Sequence, residues 1–209
     1  MQASYRTILQ EGCDEFVERR SRFIGCVRPV TTEEEAAAFI QEKKKTHWDA
    51  THNVYAYILR EGQIRRYSDD GEPQGTAGIP VLDVLQKSGL TDCAVVVTRY
   101  FGGVLLGAGG LVRAYSHGAS LAVKAGTPVE MRPCAVAQVT ADYSLYGLLE
   151  RLIPAAGGQI DDTAFTDCVT VRFHLEEPLL DGLQKQLTEH TAGRLSASVV
   201  GHTFAAFPL

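Results

Sequence analysis

Two stretches of this sequence carry residue types that do chemistry: YSDDGEPQGTAG at 67–78 and GGVLLGAGG at 102–110. The first holds three carboxylates, Asp69, Asp70 and Glu72, within four residues, a density that magnesium and calcium sites use. The spacing is not that of a calcium loop, and magnesium takes one or two carboxylates beside a substrate phosphate. The stretch therefore reads as a solvated turn whose acids point toward a helix N-terminus, with no metal. The second stretch lies between an apolar run and a helical pattern, where backbone amides at a helix start can hold a phosphate. Arg65, Arg66, Arg99 and Arg113 lie close by in sequence, and guanidinium groups suit phosphate oxygens. It is not a P-loop, because no Lys-Ser/Thr follows the glycines. Nor is it GxGxxG, because Gly110 directly follows Gly109 and position 112 is Val112.

The loops together define a candidate binding set. From the first come Arg65, Arg66, Ser68, Asp69, Asp70, Gly71, Glu72, Gly75, Thr76 and Gly78. From the second come Arg99, Tyr100, Gly102, Gly103, Gly107, Gly109, Gly110 and Arg113. The expectation is that the two loops meet in space and aim amide hydrogens and guanidinium groups at a common guest. No catalytic residue and no cofactor is assigned. GxSxG is absent, the cysteines carry no thiol-enzyme signature, and the six histidines show no ligand spacing. His117 reads as a hydrogen-bonded structural residue on a small-residue helix face.

The elements around these loops follow from pattern. Residues 12–30 alternate as strands. TTEEEAAAFIQEKKKTH is a helix with Thr32 as N-cap, Glu35 closing a capping box, and Lys43, Lys44 and Lys45 at its negative end. Ala36, Phe39 and Ile40 form its inward stripe. NVYAYILREGQIRRY is a hairpin turning at Glu61-Gly62. TAGIPVLDVLQKSG is a helix capped by Thr76 and ended by Gly89. Cys93–Val97 is a strand buried on both faces, and a helix begins around Gly107–Leu111 with Leu111, Tyr115, Ala119 and Ala122 on one face. Beyond residues 127–133 the order restarts as β-α-β-β-α-β, the ferredoxin-like split unit. Two domains are expected, 1–130 and 131–209.

Composition narrows the classes. With 209 residues, 45% hydrophobic and 22% charged, the chain is an ordinary globular protein. Its net charge of −5 opposes general nucleic-acid binding, but the acidity is concentrated in 131–209, while 1–130 is nearly neutral. Any polyanion contact is therefore expected in the first part. Five widely spaced cysteines without a CxxC pair suggest reduced thiols and a cytoplasmic protein. No apolar run is long enough to span a membrane, and no signal peptide is read at the start.

YSDDGEPQGTAGIPVL and VVVTRYFGGVLLGAGGLVRAYS, with SRFIG and HNVYAYIL upstream, closely resemble the signature of the IMPACT family, whose bacterial members include the YigZ-type proteins. The resemblance covers about residues 15–125. It implies an α+β protein whose N-terminal domain is similar to the second domain of a small-subunit ribosomal protein and to domain IV of elongation factor G. It also implies a ferredoxin-like C-terminal domain. Eukaryotic members regulate translation by binding a kinase activator, which implies a translation-associated, non-enzymatic protein whose partner is RNA, the ribosome or a translation factor. Two alternatives stay open: a phosphate- or nucleotide-binding enzyme of the same fold, and a purely protein-interacting module. The resemblance brings no catalytic residue.

Overall fold

Alternating apolar residues on successive strands build the first sheet, and the computed structural model describes residues 3–209. By contact density the chain divides into two compact units, Tyr5–Glu130 and Met131–Phe207. In the first unit the elements run β1 (Tyr5–Ile8), β2 (Gly12–Glu18), β3 (Ser21–Pro29), α1 (Glu33–Thr46), β4 (His52–Leu59), β5 (Ile64–Ser68), α2 (Gly78–Lys87), β6 (Cys93–Tyr100) and α3 (Ala108–Ala125). The sheet order is β2-β3-β6-β4-β5, and each pairing is antiparallel.

The central strand β6 explains the layering. Cys93, Val95 and Val97 pack under α2 and α3, whereas Ala94 and Val96 pack under α1. Side chains alternate across a strand, so a doubly covered strand must be apolar on both faces. The close seat of α3 depends on small residues. A Cβ at Gly25 would overlap the Gly118 carbonyl, and one at Gly126 would overlap Val27 and Ile8.

Local details depart from expectation in four places. Glu35 accepts chiefly one residue further back than a capping box requires, from the Thr31 backbone N–H at 2.7 Å, while Thr32 caps the Glu35 N–H as expected. The β4–β5 hairpin turns through a 3₁₀ segment, Glu61–Gln63, rather than a two-residue loop. Thr76 does not cap α2, as described below. Cysteines are not all free: Cys13 and Cys26 oppose each other in the β2–β3 register and form a disulfide. Sequence spacing hid this pair because an antiparallel hairpin brings distant residues face to face. Cys93 is free, and burial pushes its thiol up to about 12.

In the second unit β7 (Pro128–Ala141) is followed by α4 (Tyr143–Ala155), β8 (Gln159–Phe165), β9 (Val169–Glu176), α5 (Leu180–Thr191) and β10 (Ser198–Pro208). Strand β7 pairs with β10 and β9, and β9 pairs with β8, which gives the ferredoxin-like order. Leu149, Ile153, Leu183 and Leu187 bury helix stripes against Val171, Phe173 and Leu175. The architecture is α+β. Among the described residues no helix is long and apolar enough to cross a membrane.

Candidate functional site

The three carboxylates of the first loop diverge to three different partners. Asp69 accepts the backbone N–H groups of Gly75, Ala77 and Gly78 at 2.9, 3.1 and 2.8 Å. It thus supplies the cap for α2 that Thr76 was expected to give. The Thr76 hydroxyl donates to the Pro73 carbonyl at 2.6 Å instead. Asp70 accepts from Lys44 at the end of α1 (2.7 Å) and from the Asn53 N–H (2.6 Å), while its own N–H donates to the Ser68 hydroxyl. Glu72 turns inward. Among the described residues no group of three or more His, Cys, Asp or Glu is placed to hold a metal ion.

Glu72 is the hinge between the two loops. Its Oε1 accepts from Arg99 Nη1 at 2.6 Å and from the Tyr115 hydroxyl at 2.8 Å. All three residues are buried, with Arg99 only 5% exposed. Burial, then the neighbouring Glu72 charge, holds the Tyr115 phenol far above its ordinary value, so it stays a donor. Among the described residues the Arg99 Nε has no hydrogen-bond partner, but the guanidinium lies 5.5 and 5.3 Å from the ring centres of Phe23 and Phe101. Two π faces thus cover the charge. Arg99 shares the side of β6 that carries Val97, so strand alternation drives it under the helices. The expectation that Arg99 contacts phosphate is therefore corrected: its charge is spent inside the protein.

The two loops do meet. Glu72 and Pro73 from the first, and Phe101 and 105–108 from the second, line one cavity of about 370 Å³ with Thr51, His52, Arg99 and Leu111. His52 Nδ1 donates to the Asp70 carbonyl at 2.8 Å, so Nε2 is the nitrogen turned toward Glu72, 3.8 Å away. Gly107 and Ala108 line the cavity at the exposed start of α3, which among the described residues has no side-chain cap. Its first backbone bond runs from Leu111 to Gly107, so the amides of Ala108, Gly109 and Gly110 have no helical acceptor.

The remaining candidates scatter. Gly102 is explained by packing: a Cβ there would overlap the Arg20 carbonyl, and its N–H donates to Ser21 Oγ. Gly103 and Gly107 take positive φ in open space, and Gly71 and Gly75 take it within the first loop. Gly78 abuts the Ser68 backbone, and Gly110 abuts Leu106. Tyr100 faces α1 rather than the cavity, donating to Asp49 at 3.2 Å. Arg65 and Arg66 lie on the edge strand β5, with Arg66 near Glu33, and neither lines this cavity. Arg113 and Gly110 line a different cavity, together with Arg19 and His117. His117 is exposed and, among the described residues, makes no hydrogen bond, contrary to its structural reading; it stands edge-on to Phe16. Sequence reasoning missed Arg19, although two adjacent arginines between alternating strands were a visible signal.

Known proteins resemble this chain along most of its length. The Impact N-terminal domain matches residues 19–123, and a domain of unknown function (DUF1949) matches 139–194. The IMPACT family member YvyE of Bacillus subtilis is 41% identical over 192 residues, covering 91% of this chain and 88% of that protein. YigZ of Escherichia coli is 33% identical, covering 85% and 88%. Protein IMPACT of Mus musculus is 36% identical over 97 residues, 43% of this chain and 30% of its own. A crystal structure of a hypothetical protein superposes with a TM-score of 0.60 at 29% identity, covering 96% and 99% of the two chains.

Proposed function

The chain belongs to the IMPACT family as a bacterial YigZ-type member, and on that premise we propose that it is a non-enzymatic, translation-associated protein that docks a protein partner through its glycine-loop face. The observation that carries this reading is the contrast at the 370 Å³ cavity. Its arginine is buried against Glu72, while Phe101 and Leu105 at its rim are 44% and 80% exposed. A face meant for RNA keeps its cations accessible. A face meant for a protein exposes apolar anchors around a pocket that excludes water. The uncapped amides of Ala108 to Gly110 suit a carbonyl or carboxylate of the partner.

The enzyme reading draws less support. Asp69 and Asp70, the residues that would hold magnesium, already accept from backbone amides and Lys44. The test is affinity capture from nuclease-treated lysate, with wild type beside Leu105→Asp. Translation components retained after nuclease and reduced at least about tenfold by the substitution support the reading. Components lost to nuclease but indifferent to Leu105→Asp contradict it.

A further inference from the structure

On the other side of Leu106 lies a second cavity, of about 500 Å³, whose rim is cationic. Arg19 from the β2–β3 turn and Arg113 from α3 both line it, and among the described residues neither makes an ion pair or hydrogen bond. His117, one helical turn beyond Arg113, joins them. The floor is apolar and aromatic. Phe16 stacks on Phe23 at 5.1 Å and meets His117 edge-on at 4.5 Å. One acid, Glu18, sits on the rim and partly offsets the arginines.

The turn itself adds an independent observation. Glu18 pairs with Ser21, so Arg19 and Arg20 form a two-residue hairpin loop, and both adopt positive φ, 45° and 67°. Such turns favour Asn-Gly, because a side chain in the left-handed region costs about 1–2 kcal/mol. Arg19, held there at that cost beside the cavity, has the pattern of strain kept for binding. Gly102 presses on the Arg20 backbone and fixes the turn beside the glycine loop.

We propose that this cavity binds a nucleoside phosphate, free or within single-stranded RNA, with Arg19 and Arg113 on the phosphate and the base against Phe16 and His117. The volume suits a ligand of that size. Guanidinium-phosphate pairing with base–aromatic stacking is the general chemistry of nucleotide and single-strand recognition. The site is separate from the Phe101–Leu105 face and does not depend on it.

The test is isothermal titration of the whole protein with inorganic phosphate, AMP and a single-stranded uridine oligonucleotide at several salt concentrations. Wild type is compared with Arg19→Ala/Arg113→Ala and with the control Arg65→Ala/Arg66→Ala, which removes equal charge from β5. Loss of about tenfold in affinity in the first pair, with the salt slope lowered by about one per arginine, supports the site. Binding of AMP assigns it to free nucleotides, and binding of the oligonucleotide alone assigns it to RNA. No binding at low salt, equal losses in both double variants, or phosphate bound as tightly as AMP would overturn it. Leu105→Asp leaves this titration unchanged, so the two readings fail separately.

Discussion

Arg99 and Arg113 flank one glycine loop and carry the same side chain, yet they meet opposite fates. Arg99 points under α2 and α3, where Glu72, itself held by the Tyr115 hydroxyl, fixes it. Arg113 sits on the exposed side of α3 and keeps its charge for solvent or a ligand. An arginine near a glycine loop is therefore not evidence of phosphate binding until its facing is known. A buried arginine needs a carboxylate of the protein's own, because an isolated charge in low dielectric is strongly disfavoured. An exposed one needs nothing, and so remains available.

Breaking the buried partner should have the largest effect. Glu72→Ala leaves Arg99 charged and Tyr115 unbonded in the interior, and is expected to lower unfolding stability by about 3–5 kcal/mol in a urea titration. Arg113→Ala in the same assay should change it by no more than about 0.5 kcal/mol. If both substitutions cost the same, the contrast fails. Next comes Asp69→Ala, which removes the acceptor for three amides at the start of α2 and should cost about 2 kcal/mol. Replacing Arg19-Arg20 by Asn-Gly should act in the opposite direction. Relief of left-handed strain raises stability by about 1 kcal/mol, while nucleotide affinity falls, a trade that marks function rather than folding. The smallest change is expected from Glu18→Gln, which tightens nucleotide binding about twofold by removing the one opposing charge on the rim.

Much of the scaffold was readable from pattern: the α1 cap at Thr32, the doubly buried β6, and the β-α-β-β-α-β order of the second unit. What escaped was non-local. The strand reading stopped at Val97, although Arg99 has the same parity and is buried with it. Glu72 reaches Arg99 across the fold, and Asp69 folds back to cap a helix that has a threonine much nearer its start. Neither pairing has a sequence period. The Arg19-Arg20 turn was missed for a different reason: it contains no residue that turns prefer, so the rule that locates turns was silent where the protein departs from it.

The most direct test follows the guanidinium Nε–Hε resonances of Arg19, Arg99 and Arg113, assigned by substitution, during titration of the folded protein with AMP. Saturable shifts at Arg19 and Arg113, with Arg99 unmoved, are the predicted result. A shift at Arg99 with Arg113 unmoved would contradict the account.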